Sequence, residues 1–355
     1  MTVRITRRVL IAMAAATALA TTAEAADPIK VGFVYVGPVG DHGWTYRHDQ
    51  GRLAVEKAFG DKVKTTLVEN VSEGPDAERV VRQLAAGGHK LIFTTSFGFM
   101  NATVRVAKKF PKVMFEHATG YQRGKNVSTY NARFYEGRAV IGTIAGHVSK
   151  SGVVGYIGSF PIPEVVRGIN AFTLAAQKVN PDIKVRVVWV NSWYDPGKEG
   201  DAAKALIDQG ADIITQHTDS PAPLQVAQDR SVHGFGQASD MVAFAPEAQL
   251  TSIVDNWDKY YVDRVDAVLK GTWKSSDTWD GLKEGMVEMA AYGKDVPANV
   301  AAEANKVKIG IIGGSLHPFT GPIKNQKGEL MVKAGETMSD GDLLKMDWYV
   351  QGVEN

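Results

Sequence analysis

Residues 29–59 read IKVGFVYV (29–36), GPVGDHG (37–43) and WTYRHDQGRLAVEKAF (44–59). The first segment is short, apolar and rich in β-branched and aromatic residues, which predicts a strand. The second is a glycine and proline turn, and the third carries a helical pattern. One strand–turn–helix unit is thus laid out in 31 residues. The same unit recurs downstream. KTTLVEN (64–70), KLIFTTS (90–96) and VMFEHAT (113–119) read as strands, with helices expected over Pro75–Gly87 and Asn101–Phe110. The pattern restarts at GVVGYIG (152–158). A helix is expected over Pro163–Val179, a strand over IKVRVVWV (183–190), a helix over Glu199–Gln209, a strand over ADIITQH (211–217) and a helix over Pro223–Arg230. Strands alternating with helices imply βαβ units and parallel sheets. The expected fold is therefore α/β, with two Rossmann-like lobes. Their junction falls near Asn126–Arg133, and no long flexible linker is present, so a hinge is expected there.

Composition agrees. The chain has 355 residues, 44% hydrophobic and 22% charged, and a formal charge of +1. A chain of that length suits two domains, and its balanced charge gives no footprint for nucleic acid. Cysteine is absent, which removes disulfides, thiolate metal sites and a lipid anchor on an N-terminal cysteine. Residues 1–25 (MTVRITRRVLIAMAAATALATTAEA) have a basic start, an apolar run from Val9 to Ala20 and an Ala23-Glu24-Ala25 cleavage signal. They read as a secretory signal peptide, and a cysteine-free exported chain is expected in a periplasm. Removing Arg4, Arg7, Arg8 and Glu24 would bring the formal charge to −1.

Ligands of open parallel sheets bind beyond the carboxyl ends of the strands. Those ends carry unusual aromatics: Trp44 after the first strand, Phe97 after the third and Trp193 in the second half. Asp219 and Asp240 follow later strands and could hydrogen-bond a ligand or simply cap helices. Flat aromatic faces with nearby hydrogen-bonding groups suit a heteroaromatic ligand. The histidines show no metal-binding pair; His42, His117 and His217 read as hydrogen-bonded loop residues. No metal and no cofactor is expected. Phosphate-loop, nucleophile-elbow and dinucleotide fingerprints are missing, so no enzyme is read here. The glycine-rich GIIGG (310–314) reads as a turn, and Glu284 with Glu288 as a solvated helical face.

The mature chain resembles the basic membrane protein family of ABC-transporter substrate-binding proteins, its purine nucleoside receptors in particular. The resemblance rests on Asp41, Trp44 and Gly51 in the first loop and on GRAVIGTIAGHVSKSGVVGYIG (137–158). It extends through Asn180-Pro181, Val190 to Asp195, Asp208-Gln209-Gly210-Ala211-Asp212 and Leu250-Thr251-Ser252. It implies a type I periplasmic binding protein: two lobes joined by hinge crossings near Thr129, Ser252 and beyond Trp279, closing on a small molecule. The lobes would comprise 26–128 with 252–285, and 129–251 with 286–355. An ABC permease in the inner membrane is the implied partner, and a monomer is expected. The departures concern ribose. Ala238 stands where the family's nucleoside receptors carry an Asp, Asp255 where they carry a Lys, and Thr45 where they carry an Asn. Without those groups a free purine base is expected in place of a nucleoside. Adenine is favoured, because carboxylates such as Asp219, Asp240 or Asp255 accept from its amine. A nucleoside or other polar solute, or a sensory role with a signalling partner, is the alternative.

Overall fold

A computed structural model describes residues 27–355; the expected signal peptide lies outside the described residues. Two parallel sheets form the centre. The first half supplies β1 (Ile29–Val34), α1 (Gly43–Phe59), β2 (Val63–Val68), α2 (Pro75–Ala86), β3 (His89–Thr94), α3 (Met100–Lys109), β4 (Met114–Ala118) and β5 (Val127–Ala132). The second supplies α4 (Phe134–Val148), β6 (Val153–Gly158), α5 (Pro163–Val179), β7 (Lys184–Trp189), α6 (Pro196–Asp208), β8 (Ile213–His217), α7 (Ala222–Asp229), β9 (His233–Gly236) and β10 (Gln249–Asp255). The chain then places α8 (Asp258–Leu269) and β11 (Asp277–Asp280) with the first half, and β12 (Val287–Met289) with the second. It closes with α9 (Ala298–Ile312), β13 (Ile323–Lys324), β14 (Leu330–Val332), α10 (Asp340–Leu343) and β15 (Val353–Glu354).

The first sheet has strand order β11-β5-β4-β3-β1-β2, all parallel. The second has order β12-β10-β9-β8-β6-β7-β15, with only β12 antiparallel. Both sheets are covered by helices, so their central strands are buried along their length, as in Leu91–Thr94 and Ile213–His217. Helices α4 and α5 pack closely because Gly142 and Gly146 present no side chain where α4 meets the backbone of Phe172 and Ala176.

The sequence expectations place β1 to β4 and β6 to β8 within a few residues, whereas the expected junction at Asn126–Arg133 is itself a strand, β5, and β9 to β15 were not expected. Three further details differ. The expected crossings at 128/129 and 251/252 fall inside β5 and β10, and each of these strands stays with one sheet throughout. The GIIGG segment is half helix: Gly310–Ile312 end α9, and the turn follows at Gly313 and Gly314, whose φ is +72°. Glu284 and Glu288 share no helix, since Glu288 lies in β12. Charge spacing alone could not separate a short edge strand from a helical face.

Candidate functional site

The carboxyl ends of both sheets converge on one cleft, with a cavity of about 370 Å³ counted out to its mouth. From the first sheet come Val36 after β1, Trp44 in the first turn of α1, Ser96 and Phe97 after β3, and Thr119 after β4. From the second come Glu164 at the start of α5, Trp193 after β7, His217 and Asp219 at the end of β8, and Gln237 after β9. Thr119 has φ +60° and Ala238, beside Gln237, +61°. Such left-handed backbone is costly for residues with a Cβ and gathers at binding sites.

The aromatic walls are held by specific bonds. Trp44 Nε1 donates to Thr95 O at 2.6 Å, and its ring packs edge-on against His48 and Trp257. Trp193 leans on Phe160 with ring centroids 5.1 Å apart. Its Nε1 reaches across the cleft to Glu73 Oε1 at 3.2 Å, and Ser96 Oγ donates to the same oxygen at 2.6 Å. The lobes also meet where Gly43 N donates to Ser239 Oγ at 2.8 Å. This is a closed arrangement.

The polar floor belongs to the second sheet. Buried Glu199 accepts from Ser220 N and Ser220 Oγ, at 3.0 and 2.6 Å, and Gln216 Nε2 donates to the carbonyls of Thr218 and Ser220. Together they fix the turn that carries Asp219. Burial, with Glu199 and Asp255 nearby, pushes the Asp219 carboxyl well above the usual Asp range, against the opposing backbone N–H of Trp44. A protonated Asp219 donates a hydrogen bond as well as accepting one. His217 Nε2 lies 3.5 Å from Glu164 Oε1. Burial lowers the His217 pKa, against the neighbouring Glu164 carboxylate, which raises it.

Of the residues singled out from sequence, Trp44, Phe97, Trp193 and Asp219 line this cavity. Asp41, Asp240 and Asp255 do not. Asp41 is 77% exposed and bonds the neighbouring His42 ring. Asp240 faces outward and accepts from Gln249 Nε2 and Val242 N, at 2.7 and 3.1 Å, which locks its own turn. Asp255 is fully buried, and neither carboxylate oxygen has a partner among the described residues. His217, read as a loop histidine, ends β8 and lines the cleft. Glu164 is not among the residues singled out from sequence, and of the turn 236–240 only Asp240 is, although Gln237 is the one that lines the cavity. In sequence Glu164 is an acid in the first turn of a helix, a common placement because it complements the dipole. The signal available for the floor was Arg138, a lone charge inside the small apolar run of 137–146.

Burial raises the Asp255 pKa well above 3.8, opposed by Arg47 and Arg138 and reinforced by Glu164. The folded state therefore holds this proton to higher pH than the unfolded chain. The associated stability is full below the unfolded pKa and is lost as pH rises through the folded one. Asp255→Asn should remove that loss. Melting temperatures should show the variant gaining on the wild type at about pH 8 and much less at about pH 4. An equal offset at both values would contradict the assignment.

Comparison with known proteins gives a consistent result. The profile of a family described as ABC transporter substrate-binding protein, PnrA-like, matches residues 29–319. A purine-binding protein of Brucella abortus is 60% identical over 346 residues, covering 98% of this chain and 99% of its own. A Haloferax volcanii protein, provisionally named an ABC transporter glucose-binding protein, is 36% identical over 329 residues, covering 92% and 81%. Among solved structures, an ABC transporter solute-binding protein of Aeropyrum pernix superposes with a TM-score of 0.70 at 17% identity, covering 84% of this chain and 93% of that one. At that identity the likeness concerns the fold alone.

Proposed function

The chain belongs to the PnrA-like family of ABC transporter substrate-binding proteins, and from that premise we propose that it captures a purine base between its lobes. Adenine is the favoured ligand, ahead of hypoxanthine and guanine. The captured base is handed to the permease of an ABC importer in the inner membrane. The protein works in the periplasm, to which the expected signal peptide would direct it. The carrying observation is that Trp44 of one lobe and Trp193 of the other line a single cavity, with Phe97 beside them. A flat base held there would couple closure of the cleft to stacking. The name of the Brucella relative supports this reading. Glu164, with Oε2 unpartnered among the described residues, takes the part that sequence gave to the aspartates: it accepts from the exocyclic amine.

A sugar or nucleoside is the second reading, favoured by the name of the Haloferax relative and by the affinity of aromatic walls for sugar faces. A thermal-shift panel of bases, nucleosides and sugars separates the two, since a ligand at 100 times its Kd adds about 2.7 kcal/mol. Stabilisation by glucose and not by any base would overturn the purine reading. Stacking should carry much of the affinity. Trp193→Ala is expected to weaken adenine binding by about 1–3 kcal/mol, and Trp44→Ala by a similar amount. Calorimetry showing wild-type affinity in both variants would remove these rings from the site.

A further inference from the structure

Beside the cleft, Arg138 of α4 is fully buried; it hydrogen-bonds no carboxylate among the described residues, although Asp255 and Glu164 lie near enough to favour its charge. Its Nη1 donates to Thr215 Oγ1 at 3.2 Å and its Nη2 to Gln216 O at 2.8 Å. Nη2 also donates to Gln237 Oε1. A guanidinium can only donate, so the atom of the Gln237 amide that faces Arg138 must be its oxygen. The amide nitrogen is thereby turned the other way. Gln237 is 3% exposed and lines the cavity, and its Nε2 donates to no acceptor among the described residues. Asn and Gln side chains ordinarily present either end of the amide to a ligand. Here the choice is made by a charge 99 positions away in the chain.

We propose that Arg138 is a positioning residue that locks Gln237 as a hydrogen-bond donor into the cleft, so that Gln237 reads an acceptor nitrogen on the ring of the bound base. The proposal rests on the purine reading and deepens it. Glu164 and Gln237 then present one acceptor and one donor. Adenine matches that pair with its amine and a neighbouring ring nitrogen. A base with a carbonyl in place of the amine sets oxygen against the Glu164 carboxylate. Removing the Arg138 guanidinium would free the amide to rotate.

The test is calorimetry of adenine and of its 1-, 3- and 7-deaza analogues, in which a C–H replaces one ring nitrogen at a time. In the wild type one analogue should bind about tenfold more weakly than adenine, because the Gln237 N–H then faces carbon. Gln237→Leu should lose about the same factor for adenine and show no further loss for that analogue. Gln237→Glu, which presents only acceptors, should bind adenine more weakly still. Arg138→Met keeps an unbranched apolar stem but removes the guanidinium, and so releases the amide. It should shrink the penalty for the deaza analogue, a change that a merely structural arginine would not produce. If Arg138→Met does not fold, the two Gln237 variants carry the test. A deaza profile unchanged by Gln237→Leu overturns the relay while leaving the purine reading intact. Absence of adenine binding by the wild type overturns the purine reading itself.

Discussion

Gly43→Ala should hold the lobes apart and weaken ligand binding by about 2–4 kcal/mol, while each lobe stays folded. Gly43 opens α1 on the first lobe, with φ +74°. A Cβ built there would lie 2.5 Å from the carbonyl oxygen of Asp219 on the second lobe. Backbone cannot swing aside as the end of a flexible side chain can, so the clash is relieved only by opening the cleft or distorting the turn. The same opening would stretch the bonds from Gly43 N to Ser239 Oγ and from Trp193 Nε1 to Glu73. Small-angle scattering should show the wild type contracting when adenine is added and the variant failing to contract, with calorimetry reporting the lost affinity. Wild-type affinity together with normal contraction would refute this account of closure.

Adenine should bind more tightly than adenosine by at least about 2 kcal/mol, roughly thirtyfold. The sequence argument was that Ala238 and Asp255 replace the groups that hold ribose in nucleoside receptors. The structure gives that argument a different physical basis. Ala238 is fully buried, and its carbonyl accepts from Asp255 N at 2.8 Å, which uses it inside the turn. The Asp255 side chain is buried and is not among the residues that line the cavity, and its backbone carbonyl accepts from Arg47 Nε. Neither residue lines the cavity, so neither is placed to take a sugar hydroxyl, and each hydroxyl buried unpaired costs about 1–3 kcal/mol. A ribose would instead have to hold the lobes open and give up the contact of Trp193 with Glu73. Competition calorimetry with the two ligands decides the matter. Equal affinities would transfer the site to the nucleoside reading.

The sequence alone determined the alternation of strand and helix, the restart at Gly152 and the strand ends on which Trp44, Phe97, Trp193 and Asp219 sit. These are properties of local pattern: apolar periodicity, turn residues and aromatic placement all act within about a dozen residues. What tertiary structure decided was the direction and the environment of each polar group. Asp240 follows β9 as Asp219 follows β8, and Asp255 ends β10, yet Asp240 turns outward to Gln249 and Asp255 is buried outside the cavity lining. The amide of Gln237 is oriented by Arg138, and the entrance glycine of α1 is matched to a carbonyl 176 positions later, at Asp219. Glu164 becomes a cleft acid only because β6 delivers the start of α5 opposite the first sheet. Desolvation and hydrogen-bond partnership depend on which distant segments pack together. The linear pattern therefore specified where a site would form, and packing between the lobes decided which side chains face it and with which end.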